Sequence, residues 1–443
     1  MMPLNVPPTI LVITALGLVG GGIVMTLYTY LLYPVALYLL GRWAPGQRLR
    51  VRGASTDEPT ISGGGSHALP TLSITVPVYN EEDQVRGLIE NLLALDYPPE
   101  LRQILIVSDA STDQTDEIVR EFADQGIELL RLEERGGKTA AENAARDHLL
   151  GEIIVNTDAS VRMEEDTLLH LVAPFADPAV GVVSARDLSV TRVDEDANRG
   201  ESGYVGYEMW VRRLESRVYG IIGASGCCYA IRAMLHRLPL PNSLSRDFAA
   251  ALHAREHGYR SLSADDAICY VPRAGSLRTE YRRKVRTMVR GMQTLYFKRR
   301  LLDPTQFGIF SWMLISHKVF RWLVPWALVG LSIGFVIMTT VFTPAIWALN
   351  AAAGLGTLAL AGWYWPLEAR PPRVLVIPTY LVLGNLAALH ASLLVIRGIQ
   401  NPIWEPTRRE ALREDGLPSS PSEDHDWECT GHDPEVLSPR PTR

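Results

Sequence analysis

The 443-residue chain is poor in cysteine: Cys227, Cys228, Cys269 and Cys429 show neither CxxC spacing nor an even framework. Reduced thiols in a cytosol-facing domain are the simple reading, and the adjacent Cys227 and Cys228 read as small buried residues rather than a redox pair. Positive charge is not in excess either. Lys and Arg number 43 against 49 Asp and Glu, a formal net charge of −6, which argues against a nucleic acid as partner. With 47% hydrophobic and 21% charged residues the chain is not a disordered polymer, and no internal repeat is visible. Its length allows two or three modules.

Uncharged apolar sequence is abundant. Thr9–Leu40 exceeds the roughly 20 residues a spanning helix needs, and it lacks the basic leader and small-residue cleavage site of a signal peptide. Arg42, Arg48, Arg50 and Arg52 follow it, so the positive-inside rule places the N-terminus outside and the next domain in the cytoplasm. Three more apolar stretches, about Trp322–Val341, Pro344–Trp365 and Val374–Ile396, carry Trp and Tyr near their ends as belt anchors. Their number conflicts with the charges: three crossings put the tail outside, whereas Arg397, Arg408, Arg409 and Arg413 favour inside. Either one stretch is re-entrant or interfacial, or Phe307–Ser316 contributes an extra segment.

Between these runs the sequence alternates. Strands are expected at Leu72–Val78, Gln103–Ser108, Glu128–Leu132, Glu152–Thr157 and Val180–Ser184, with helical patterns at Glu82–Ala94, Thr115–Ala123, Gly137–Leu149 and Glu165–Phe175. That is the pattern of an α/β domain with a mostly parallel sheet covered on both faces. The expected organisation is an N-terminal transmembrane helix (1–41), a flexible linker (42–70), the α/β domain (71–278), amphipathic interface helices (279–320), C-terminal transmembrane helices (321–397) and a polar, mostly disordered tail (398–443). Within 280–302 one helical face is basic and the other carries Val285, Met288, Val289, Met292, Leu295 and Tyr296, a pattern suited to a membrane interface or to packing on the soluble domain.

Polar residues end these strands, where open α/β sheets bind ligands. Asn80-Glu81-Glu82 and Asp109 close the first two. Gly136-Gly137-Lys138 precedes a helix, its glycines permitting close approach and its lysine offering charge to a phosphate. Asp158 ends another strand, where an acid suits a hard divalent cation. Asp247 lies in a first helical turn, as a base or as a favourable partner of the helix dipole. Asp113 reads as a cap within DASTDQT. His253 and His257, at i, i+4, read as a surface or interfacial pair rather than a zinc site.

VPVYNEE at Val76–Glu82, SDASTDQT at Ser108–Thr115, GGKTAAENAA at Gly136–Ala145 and NTDAS at Asn156–Ser160 together resemble the inverting family 2 glycosyltransferases of GT-A (Rossmann-like) fold. The likeness runs from about Thr71 to Gln293, and the flanking helices resemble the integral-membrane branch of cellulose and hyaluronan synthases. The resemblance implies that Val78, Asn80 and Glu81 lie against the nucleotide base, Asp109 against base or ribose, and Lys138 at the diphosphate. Asp158 matches the first acid of the DxD metal motif, which uses Mg²⁺ or Mn²⁺, and Asp247 matches the TED-type general base. Gly223, Ser225 and Gly226 resemble the small-residue loop near the acceptor, where Arg283 and Arg286 also fall.

Three positions depart from that pattern. Ser160 replaces the second DxD acid, and Arg246 replaces the acid before the base. Of the QxxRW motif, Arg286 keeps the arginine without the Gln or Trp, which counts against a polymerising synthase. Trp404–Arg409 resembles a WGTR-type segment at a cytoplasmic mouth. The expected protein is an integral membrane glycosyltransferase, in the plasma membrane if bacterial or archaeal. It would use a nucleotide-sugar donor, a lipid-linked or glycan acceptor, and contact with membrane lipids. A processive synthase that translocates its product, or an inactive sugar-nucleotide scaffold in envelope assembly, are the alternatives.

Overall fold

The computed structural model describes residues 8–43, 69–190, 199–272, 276–366 and 372–399. The glycine-rich linker up to residue 68 and the tail from residue 400, with its Trp404–Arg409 segment, lie outside them.

Eight strands form one sheet: β1 (Leu72–Val78), β2 (Arg102–Ser108), β3 (Ile127–Arg131), β4 (Ile153–Thr157), β5 (Arg162–Met163), β6 (Val180–Val190), β7 (Cys228–Arg232) and β8 (Arg260–Pro272). Their order is β3-β2-β1-β4-β7-β6-β8-β5. The pairs β1–β2, β1–β4, β2–β3 and β6–β8 are parallel, and β7 runs antiparallel between β4 and β6. Every residue of β1 is buried, because helices cover both faces, and a strand buried on both sides reads as a near-continuous apolar run. One face packs Ile74, Val76 and Ile106 against Leu88 and Leu92; the other packs Leu105, Val107 and Ile154 against Ala141 and Ala145.

The chain order reverses at β1 and β4, the topological switch point where such sheets open a crevice. Their pairing stops at Thr75 and Asn156, while β1 continues with β2 to Val78. Pro77, which has no N–H to give, therefore falls where β1 has already parted from β4.

Four helices are long and apolar enough to cross a membrane among the described residues: Thr9–Trp43, Ile309–Met338, Ala345–Trp363 and Val374–Ile396. Phe307–Ser316 supplies no separate crossing, since from Ile309 it is the start of the second of these helices. At 30 residues that helix is about 45 Å long, more than a roughly 30 Å hydrocarbon core needs. Its surplus packs on the α/β domain: Phe310, Met313 and Leu314 join Tyr33 and Leu37 of the N-terminal helix, Val211 and Leu214 of the helix Arg199–Val218, and Phe248 and Leu252 of the helix Arg246–Glu256. Both long helices change to π geometry there, at Tyr28–Leu32 and Ile315–Val319.

The amphipathic helix is Leu277–Phe297, N-capped by Ser276, whose Oγ accepts the Thr279 N–H at 3.2 Å. Most of its apolar face is covered by protein. Val285 and Val289 pack on Ala387 and Ala391 of the last membrane helix, Leu295 joins the cluster around Phe248, and Tyr296 alone of that face stays 70% exposed. Trp322 packs on this helix, its ring 3.3 Å from the place a Cβ on Gly291 would occupy.

Candidate active site

The crevice is shaped first by Asp109, which is 1% exposed beyond the end of β2. Its Oδ1 accepts the Gly136 N–H at 2.8 Å and its Oδ2 the Gly137 N–H at 2.7 Å. Gly137 has φ 84°, a conformation costly for any residue with a Cβ. A Cβ on Gly136 would come within 2.6 Å of the Ala140 side chain. Two glycines are thus needed to turn the chain into the helix Lys138–Ala145, with Lys138 as its first residue.

Lys138 Nζ donates to Asp158 Oδ1 at 2.5 Å and to the Gly226 carbonyl at 2.9 Å. Burial works against its charge, but Asp158 and Glu142 outweigh that and raise its pKa. Asp158 is placed by β4, and its N–H donates to the Cys227 carbonyl at 3.2 Å. Asp247 lies in the first turn of the helix Arg246–Glu256, with Oδ1 accepting the hydroxyl hydrogen bond of Ser245. Its Oδ2 is only 3.0 Å from where a Cβ on Gly226 would stand, so glycine there keeps the carboxylate face open. Ser225 is held behind the loop, its N–H on Ser184 Oγ at 2.8 Å and its hydroxyl on Asp187 Oδ2 at 2.5 Å.

A cavity of about 830 Å³ joins these groups. Glu81, Lys138, Asp158 and Asp247 line it, with Gly223, Ser225 and Gly226 of the small-residue loop and Arg283 and Arg286 of the amphipathic helix. Val78, Asn80 and Asp109 are not part of that lining; they hold the strand ends. Asn80, with φ 53°, accepts the Thr112 N–H on its Oδ1 at 2.8 Å, and Val78 is fully buried. Asp113 caps, taking the Thr115 N–H at 3.0 Å. His253, only 6% exposed, is buried rather than superficial.

Sequence reasoning missed four contributors. Arg246, noted only as a departure, is buried with its Nε 3.5 Å from Glu142 Oε2; it also donates to Asn143 Oδ1 and, at 3.1 Å, to the His236 carbonyl. Burial pushes the Glu142 carboxyl up, opposed in part by Lys138 and Arg246. The one signal was paired, opposite-sign oddities: an acid inside the GGKTAAENAA segment and a base where an acid was expected. Arg290 and Thr294, on the amphipathic helix, reach back to the segment that leads into Asp247. Arg290 Nη2 donates to the Leu244 carbonyl at 2.5 Å and to Thr139 Oγ1 at 2.7 Å, and Thr294 Oγ1 accepts the Ser245 N–H at 3.0 Å.

For a divalent cation the end of β4 offers the Asp158 carboxylate, with the Ser160 hydroxyl two residues on, and both line the cavity. No group of three His, Cys, Asp or Glu ligands occurs among the described residues. This donor set does not cage a metal, but it fits one whose coordination is completed by phosphate oxygens and water, the usual arrangement for Mg²⁺.

The fold is that of the GT-A glycosyltransferases. Mannosyltransferase PcManGT from Pyrobaculum calidifontis, described in complex with GDP-Man and Mn²⁺, has a TM-score of 0.60 at 24% identity, covering 84% of this chain and 99% of that one. Residues 73–237, most of the α/β domain, match Glycosyl transferase family 2. A beta-monoglucosyldiacylglycerol synthase from Nostoc sp. is 32% identical over 158 residues, 35% of this chain and 34% of the relative. An N-acetylglucosaminyltransferase from Neorhizobium galegae is 28% identical over 199 residues, 44% of this chain and 45% of the relative. The chain therefore spans about a third to under a half of these curated relatives' length.

Proposed function

We propose that the protein is a membrane-bound, inverting glycosyltransferase that moves a sugar from a nucleotide-sugar, with a UDP-sugar the first choice, to a hydroxyl of a lipid-linked or glycan acceptor at the cytoplasmic membrane face. The observation that carries this reading is one cavity walled by the Lys138–Asp158 pair, by Asp247, and by residues of the membrane helices. The diacylglycerol glucosyltransferase and N-acetylglucosaminyltransferase relatives support transfer to lipid or glycan.

In this reading the donor diphosphate meets the N-terminus of the Lys138 helix, where the ammonium and the free N–H groups of the first turn favour anions. Asp109 acts indirectly, by holding the Gly136-Gly137 backbone that sets this turn. Asp247 accepts the acceptor's hydroxyl proton, and Ser245 fixes the orientation of its carboxylate. Asp158 and Ser160 would hold Mg²⁺ or Mn²⁺ together with donor phosphates. When bound, the ion neutralises the departing diphosphate; the GDP-Man and Mn²⁺ of the Pyrobaculum structure support that assignment.

The test is nucleotide release by the purified protein against a panel of nucleotide-sugars. Asp247→Asn is expected to lose roughly 10²–10⁴-fold in rate while still being stabilised by the donor, as removal of a general base predicts. Asp158→Asn should lose both donor stabilisation and rate. Parental activity in both variants would overturn the reading.

A further inference from the structure

The amphipathic helix holds the element that carries Asp247 through a stripe of polar side chains, and one of them also touches the Lys138 helix. We propose that Arg290, seconded by Thr294, is a positioning residue that sets the spacing between the Lys138 turn and Asp247. This deepens the glycosyltransferase reading and rests on it.

Arg290, Thr294 and Lys298 stand at i, i+4 and i+8, so they share one helical face. Arg290 Nη2 donates to the Leu244 carbonyl at 2.5 Å and to the Asn242 carbonyl at 3.3 Å. Thr294 Oγ1 accepts the Ser245 N–H at 3.0 Å, and Lys298 Nζ lies 2.5 Å from Glu256 Oε2. Leu244 and Ser245 lead into the helix Arg246–Glu256, and Glu256 is its last residue. The helix that presents Asp247 is therefore gripped at both ends. Arg290 Nη2 also donates to Thr139 Oγ1 at 2.7 Å, and the Thr139 hydroxyl donates to the Leu244 carbonyl at 2.9 Å. Thr139 is the second residue of the helix Lys138–Ala145. One guanidinium thus closes a triangle between the turn proposed for the diphosphate and the segment that enters the proposed base. Transfer needs the donor carbon, the acceptor hydroxyl and the base in line, so the distance between those two elements bears on rate.

A packing role alone does not account for an arginine here. Arg290 lines the cavity, is 7% exposed and forms no ion pair among the described residues. Burial lowers its pKa, and the charges of Asp247 and Glu142 offset that only in part. A buried guanidinium bonded to carbonyls and a hydroxyl is costly, and an apolar side chain would fill the space more cheaply. Its planar head, however, fixes donor directions that the rotating ammonium of lysine does not. The helix behind it is itself fixed. Val285 and Val289 pack on Ala387 and Ala391 of the last membrane helix, and the Trp322 ring stands 3.3 Å from the place of a Cβ on Gly291. The position of the base is thereby referred to the membrane bundle as well as to the α/β domain.

The experiment measures nucleotide release by the purified full-length protein, with kcat and KM for the donor. The rise of the thermal midpoint with UDP, or with the diphosphate of whichever nucleotide-sugar the parent accepts, reports an intact donor side. Arg290→Gln is expected to lower kcat about 10²-fold, as a misplacement of about 1 Å does. Its KM and diphosphate shift should stay within about twofold of the parent's, since uniform binding is untouched. Thr294→Val should lower kcat by about tenfold, and Arg290→Lys should recover part of the loss of Arg290→Gln. Added to Asp247→Asn, Arg290→Gln should remove no further rate, because a residue that acts through the base then has nothing left to position.

Unchanged kcat in Arg290→Gln overturns the proposal. So does a full further loss in the double variant, which would give Arg290 a role independent of the base. A loss of rate that only follows a loss of the diphosphate shift overturns it too, by making Arg290 a support of the donor side. Should Arg290→Gln lack a cooperative melt, Thr294→Val decides by the same criteria: a lowered kcat with the shift intact and no further loss beside Asp247→Asn upholds the proposal, and any other result overturns it. A parent that releases nucleotide from no nucleotide-sugar, or an Asp247→Asn variant with the parental rate, overturns the glycosyltransferase reading itself. An active parent that depends on Asp247 and is indifferent to Arg290 and Thr294 overturns this proposal alone.

Discussion

Arg246 shows how a departure from a motif is compensated by a contact. A buried guanidinium facing a buried carboxylate 3.5 Å away is a liability when either partner is removed alone. Arg246→Met is therefore expected to cost about 3 kcal/mol, and Arg246→Met with Glu142→Leu to regain a good part of it. The melting midpoints of the two variants check this; an additive loss in the double variant would show that Arg246 stabilises through its His236 and Asn143 bonds instead. At this scale the strand-end residues were legible, because a cap, a glycine turn and a strand-end acid are local patterns. The Glu142–Arg246 pair was not, because its members lie far apart in the chain and only the closed fold brings their two helices together.

Among the elements, the helix Arg246–Glu256 shows what burial does to function-bearing segments. His253 on it is 6% exposed, and burial first, then Lys298 and Arg246, hold its pKa down to about 3. An unfolded histidine takes its proton near pH 6.5. Between those values only the unfolded chain binds the proton, so this contribution is complete above about pH 6.5 and is lost as pH falls towards 3. The parent's midpoint should decline more steeply through that window than that of His253→Leu; parallel curves would absolve the imidazole. The parallel strands β1 to β4 were readable as compact β-branched runs, with ends displaced by at most a residue or so. The strands β7 and β8 were not, since CYAIR and RSLSADDAICYVP mix small and polar residues and gain their place from antiparallel or bulged pairing. The amphipathic helix was legible as a two-faced helix, but periodicity does not say whether lipid or protein covers the apolar face, nor that Arg290 and Thr294 reach back to Leu244 and Ser245.

At the scale of the whole molecule, the N-terminal helix crosses the helix Ile309–Met338 through glycines. A Cβ on Gly22 would stand 2.9 Å from the Ala327 carbonyl oxygen, and one on Gly334 3.0 Å from that of Ala15. Such close approach is how apolar helices associate without a hydrophobic driving force between them. Gly334→Leu should push them apart at a cost of about 1–3 kcal/mol, seen as a lower melting midpoint and easier proteolysis of the N-terminal segment; an unaltered melt would show that the crossing is loose. The sequence counted these helices but left their number in doubt, because hydropathy does not reveal that one of them extends well past the bilayer to meet the α/β domain. The match to the family ends at residue 237, before Asp247, and the Asp247 helix is in turn tied by Thr294 and Arg290 to a segment that packs on the membrane bundle. A cut at residue 237 would therefore part the Lys138–Asp158 pair from Asp247, the base proposed above. A fragment ending there is expected to keep the proposed donor side and to lose the proposed base together with its ties to the amphipathic helix.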